Sequence, residues 1–168
     1  MFRIILTFYL LAVSIYSHSG VKCTQYTDEQ LSLLHLAYIT GQPHDLGLTL
    51  AAIVKQESFV GDYVVRVNSK DGKYGSYGIS QINLETAMYF EGVTNSWEAR
   101  AEIVPKLMID DVYSLELSLI KFNSVSHLSW KDQVRSYNGG VRNKRTLEYY
   151  NKIRGHVNEF NRCNVFIY

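Results

Sequence analysis

Residues 46–58 read LGLTLAAIVKQES. Leu46, Leu50, Ile53, Val54 and Glu57 recur at intervals of three and four, so on a helix they share one stripe. The first four are aliphatic and the last is a carboxylic acid. Glutamate is almost never fully buried without a partner, so an acid that ends an apolar stripe calls for an explanation. Burial disfavours its charged form, and a place near a helix C-terminus disfavours negative charge further. Both effects push the pKa of Glu57 upward, the direction a general acid needs near neutral pH. The competing reading is that the stripe simply rolls into solvent at Glu57.

Further along stands Gly75-Ser76-Tyr77-Gly78-Ile79-Ser80-Gln81-Ile82-Asn83, a glycine-rich turn opening into an apolar and amide-bearing run. Ser136-Tyr137-Asn138-Gly139-Gly140 follows, and then Tyr149-Tyr150-Asn151-Lys152-Ile153. In this order the motifs resemble the lytic transglycosylase domain of the soluble murein transglycosylase family, over roughly residues 45 to 160. That family shows a Glu-Ser dipeptide closing a helix and a Gly-Leu-Met-Gln-like turn. It also shows an Ala-Tyr-Asn-Ala-Gly-like loop and a late Tyr before a Lys and an aliphatic residue. Here Ile79-Ser80 departs from the commoner Leu-Met, and Ser136 replaces the usual Ala. The resemblance implies a lysozyme-like domain of the goose-type kind, mainly α with a small β-hairpin or long loop.

Upstream, the opening MFRIILTFYLLAVSIYSHSG has one early cation, an apolar core, and small residues at Ser17 and Ser19. This is the form of a secretory signal over residues 1–19, with an uncleaved anchor as the alternative. Without it the chain carries 16 basic and 16 acidic residues, a poor profile for a nucleic-acid binder. Residues 20–168 suit one domain with a real core, and nothing points beyond a monomer. Cys23 and Cys163 stand near its two ends. In an oxidising compartment they are expected to pair; two free thiols are the alternative. No spacing suggests a metal site.

Thr27-Asp28-Glu29-Gln30 reads as a capping box for a helix carrying Leu31, Leu34 and Tyr38 inward. Val60 to Tyr77 turns β-branched around Val64-Val65-Arg66-Val67, then to turn chemistry at Asn68-Ser69-Lys70-Asp71-Gly72. A loop or hairpin folding over Glu57 is expected there. Asn83 is placed to cap a short helix through Phe90, and Ser96 to open another. Pro105 is predicted in the first turn of a helix to about Phe122, with Leu107, Met108, Leu115, Leu119 and Phe122 in the core. Ser129 opens a helix ending near Tyr137, and Thr146 to Phe160 forms the last.

Glycoside cleavage commonly takes two carboxylates. Asp62 and Asp71 are the candidates for a second, though both read more simply as solvated turn residues. Lytic transglycosylases, as the resemblance implies, manage with one Glu and no cofactor. Glu57 would protonate the oxygen between N-acetylmuramic acid and N-acetylglucosamine in peptidoglycan strands, then assist closure of a 1,6-anhydro ring. Gln81 would offer its amide to the sugar, and Gly78 would let backbone approach it. Tyr137 and Asn138 would line the opposite wall, and Ser58 would support the Glu57 helix or touch substrate. Tyr150, by resemblance, would hydrogen-bond near Glu57, with a core tyrosine as the alternative because Tyr149 adjoins it. The location implied is periplasmic or secreted. Two other readings stand beside this one: a muramidase hydrolysing the same bond, and a non-catalytic wall-binding part of a secretion, conjugation or phage-infection apparatus.

Overall fold

The computed structural model describes residues 23–67 and 75–166. The secretory-signal segment and Asp71 lie outside the described residues. Seven α-helices and a three-stranded antiparallel sheet form among them, so the protein is mainly α.

Helix α1 (Asp28–Gly41) opens with the capping box: Gln30 N–H donates to Thr27 Oγ1, and Thr27 N–H donates to Gln30 Oε1. Leu34 and Ala37 carry its buried side, while Leu31 is only half-buried. A 3-10 turn over Gln42–His44 leads into α2 (Gly47–Ser58). This helix is buried nearly all round: Thr49, Leu50, Ala51, Ala52, Ile53 and Val54 are all inside. It packs against α1 on one side and α7 (Lys144–Arg162) on another. Its small residues Ala51 and Ala52 fit this position, because two neighbours can then approach closely.

Past α2 the chain pairs β1 (Val65–Arg66) with β2 (Ser76–Tyr77), and β2 with β3 (Ile82–Asn83). Tyr77 stands opposite both Val65 and Ile82. The third strand was not legible in the sequence, since two residues leave no alternation to read. Asn83 caps α3 (Leu84–Phe90) by accepting from Glu85 N–H.

The helix predicted to begin at Pro105 is differently divided. Pro105 lies inside α4 (Trp97–Ile109), and the break falls at Asp110, whose backbone is extended. Asp110 closes α4 and caps α5 (Asp111–Asn123) by accepting from Tyr113 N–H. A carboxylate that satisfies a free helix N–H outweighs the preference of proline for a first turn. The new division turns Met108 outward to 36% exposure, whereas Leu107, Leu115, Leu119 and Phe122 are buried as expected.

Ser129 caps α6 (Trp130–Tyr137), and Trp130 Nε1 donates to Thr49 Oγ1 of α2 at 3.0 Å. Asn143 caps α7, whose buried residues are Thr146, Tyr149, Ile153 and Phe160. Cys23 and Cys163 form a disulfide. Beside it Lys55 Nζ donates to Glu159 Oε2 and to Tyr26 Oη, each at 2.7 Å. Both ends of the described chain are thereby fastened to the central helix.

Candidate functional site

Glu57 sits in the last turn of α2, with its side chain 4% exposed. A tight backbone turn follows it. Phe59 and Val60 both adopt left-handed conformations, with φ of 56° and 60°, and the N–H groups of both donate to the Val54 carbonyl. Val60 is β-branched, for which this region is a genuine outlier. Ser58 locks the turn: its Oγ donates to Val54 O at 3.0 Å and accepts from Gly61 N–H at 2.9 Å. Ser58 is fully buried, so it supports the acid from behind.

Four side chains act on the carboxylate. The Asn138 amide and the Tyr149 hydroxyl face it as donors and favour its anion. Arg66, on β1, brings Nη2 to 3.7 Å from Glu57 Oε2, from a side chain 61% exposed. Lys121, from α5, adds a second cation. Burial raises the pKa of Glu57 above its usual 4.5, outweighing Tyr149, Arg66, Lys121 and Asn138, which lower it. The acid is therefore held closer to its protonated form, with two positive charges ready to receive the anion.

The residues singled out in the sequence are only partly brought to this point. Asn138 is at the acid, on an exposed turn after α6. The late tyrosine is a correction: Tyr149, not Tyr150, turns its hydroxyl to Glu57. Tyr150 packs edge-on against Trp130 at 5.4 Å. Counting back from Ile153 by four and seven residues gives Tyr149 and Thr146, the inward side of α7. That periodicity was the signal.

Tyr137 does not line an open wall. It is buried, stacked on Phe122, and its hydroxyl donates to Ser80 O at 2.8 Å. Burial raises its pKa far above the usual value. Gly78 likewise faces protein: a Cβ there would lie 2.3 Å from Leu107 O and 2.6 Å from Ser114 Oγ. The glycine is needed for contact with α4 and α5, and for its φ of 78°. Gln81 spends its donors inward, Nε2 donating to Tyr63 O at 3.1 Å and Gly78 O at 3.0 Å. Its Oε1 is buried and takes no hydrogen bond. Ser80, the departure from the family pattern, is fully buried and donates to Ser114 O at 2.9 Å. The motif thus fastens the turn to α5.

Arg66 and Lys121 went unnoticed in the sequence. Lys121 carried a weak signal, since Leu117, Ser118 and Phe122 around it are all buried. Arg66 carried none, because β1 is exposed on both residues. Asp62 is exposed, and Arg66 and Lys121 are the charged groups that act most on Glu57. Among the described residues no cluster of three or more His, Cys, Asp and Glu could hold a metal ion, and no helix is long and apolar enough to cross a membrane. The chain matches no protein-family model, and no curated protein or solved structure is significantly similar to it.

Proposed function

We propose that this protein is a lytic transglycosylase with a lysozyme-like domain, cleaving the β-1,4 bond after N-acetylmuramic acid in peptidoglycan through Glu57. The observation that carries the reading is a buried carboxyl with a raised pKa, flanked among the described residues by the two cations Arg66 and Lys121. The order of motifs around Glu57, Asn138 and the late tyrosine pair supports it. The protonated Glu57 gives its proton to the glycosidic oxygen as the bond to the anomeric carbon breaks. The substrate's acetamido oxygen stabilises that carbon, a recognised route that needs no second carboxylate. Glu57, now an anion facing Arg66 and Lys121, takes the proton from the 6-hydroxyl, whose oxygen closes the anhydro ring. An internal hydroxyl has the advantage of effective concentration over a diffusing water. Action on the wall implies a periplasmic or secreted protein, in company with a secretion or conjugation apparatus.

Digestion of purified sacculi, with mass spectrometry of the products, tests the reading. The expected main products are 1,6-anhydromuropeptides. Glu57→Gln should lower the rate by about 10²–10⁴-fold or more, while Asp62→Asn and Asp71→Asn lose little. Reducing-end muramic acid, with collapse of activity in either Asp variant, would make the enzyme a muramidase. A folded Glu57→Gln protein that clears sacculi at the wild-type rate would remove Glu57 from the chemistry.

A further inference from the structure

The Glu57 carboxyl lies under cover, in a side chain only 4% exposed. A general acid must bring its oxygen within about 2.6–3.2 Å of the one it protonates. For a glycosidic oxygen to come so close, one of the groups over the carboxyl has to give way. Tyr149 on α7 and Tyr137 at the end of α6 are in the core, and Tyr137 is also stacked on Phe122 and bonded to Ser80 O. Lys121 on α5 is held 4.2 Å over the Tyr137 ring. Asn138 is exposed but carries no charge.

Arg66 differs from all of these. Its side chain is 61% exposed, and its Nη2 stands 3.7 Å from Glu57 Oε2. It belongs to an edge strand of two residues, both exposed, and pairs there with Ser76. An ion pair with one partner largely in water is weak, so it breaks and remakes at little cost. While it lasts, the guanidinium favours the carboxylate, the wrong form for giving a proton. Burial favours the protonated form and outweighs it. Removing the guanidinium therefore pushes Glu57 further towards the form that the chemistry needs.

We propose that Arg66 is the movable cover of the acid: it pairs with Glu57 in the free protein, withdraws into water when a glycan enters, and so couples glycan binding to uptake of a proton by Glu57. This rests on the reading of Glu57 as a glycan-cleaving acid, and it makes Arg66 a positioning residue that acts through Glu57. A neutral sugar in place of the guanidinium removes both a cation and water from the carboxyl, and each loss favours the protonated form. The other groups change little. Lys121 keeps its charge below its pKa of about 8, while burial raises the pKa of Tyr137 and Tyr149 and leaves both phenols neutral. The proton taken from solvent on binding is the one later given to the glycosidic oxygen. Departure of the leaving sugar reopens the place, and the guanidinium returns to the anion left behind.

The test titrates the Glu57 carboxyl by NMR in the full chain, its signal identified by its loss in Glu57→Gln. The range stays below pH 8, where Lys121 begins to lose its charge. In the free protein, Arg66→Gln should raise the ratio of protonated to charged Glu57 at a given pH about two- to fivefold, as for a largely exposed ion pair. Arg66→Lys should keep most of the wild-type behaviour. Saturating triacetylchitotriose, a soluble chain of N-acetylglucosamine, should raise that ratio at least as much in the wild type and less in Arg66→Gln. By linkage the wild type should then bind the sugar more tightly as pH falls, by the same factor. Identical titrations of wild type and Arg66→Gln would overturn the proposal. A sugar that leaves the wild-type titration unmoved would overturn it too, and that comparison needs no variant to fold. Coupling as expected in a protein that leaves sacculi intact would keep the cover and sink the cleavage reading. Cleavage of sacculi without the coupling would do the reverse.

Discussion

At the scale of single residues, Glu57 sets an electrostatic cost that its own removal exposes. Its folded pKa is raised by burial above the usual 4.5. A raised pKa contributes stability that is fully present below the unfolded value and lost as pH rises through the folded one. Wherever the carboxyl is ionised in the unfolded chain, the folded wild type bears a cost of burying it that glutamine would not. Glu57→Gln should melt at a higher temperature than wild type near about pH 7, with the gap closing as pH falls towards about 4. A gap that is constant with pH would mean the carboxylate is not strained. The tyrosine pair offers a second test. Tyr149→Phe removes a hydroxyl aimed at the carboxylate, and the cleavage rate should fall about tenfold or more, as for a hydrogen bond to a charged group. Tyr150→Phe keeps the ring against Trp130 and should leave the rate near wild type. Inversion of these two outcomes would restore Tyr150 to the site. The acid itself was legible in the sequence because one carboxyl interrupted an aliphatic stripe. Of its partners Asn138 was legible too, whereas Lys121 carried only a weak signal and Arg66, on a strand exposed at both residues, carried none.

At the scale of elements, the turn after α2 shows how local strain positions a side chain. Phe59 is 64% exposed, yet it sits at φ 56°. A left-handed conformation costs a non-glycine residue about 1–2 kcal/mol. Glycine would relieve that while losing about 0.5–1 kcal/mol to the unfolded chain. Phe59→Gly should therefore be neutral or stabilising by up to about 1 kcal/mol in urea denaturation. A loss of several kcal/mol would show that the exposed ring packs against something. Helix starts were well read, since Thr27, Asn83, Ser96 and Ser129 each cap by a hydrogen bond that their side chains advertise. The division between α4 and α5 was misread because Pro105 is the louder signal and Asp110 the stronger one. The motif glycine and glutamine were assigned to substrate, but the tertiary contacts of Gly78 with Leu107 and Ser114 claim them first. A ligand and a neighbouring helix both demand close backbone approach, and sequence alone does not separate them.

For the whole molecule, the disulfide spans 140 residues of chain. Closing so long a loop restricts the unfolded chain strongly, so Cys23→Ser or Cys163→Ser should lower stability by about 2–5 kcal/mol. Guanidinium denaturation of the oxidised and variant proteins measures this, and coincident midpoints would show that Lys55 and Glu159 suffice to hold the ends. The predominance of helix followed from the spacing of apolar residues, and the pairing of the cysteines from their places near the chain ends. The bridge has one more consequence. With Cys23 and Cys163 joined, the protein between them is a covalent circle. One protease cut at the exposed Gly139–Gly140 turn would leave a single molecule that runs as one band without reductant and as two with it. Such a nicked circle keeps α2 and α7 tethered while freeing Asn138 from its register, dividing the upkeep of the fold from the upkeep of the site.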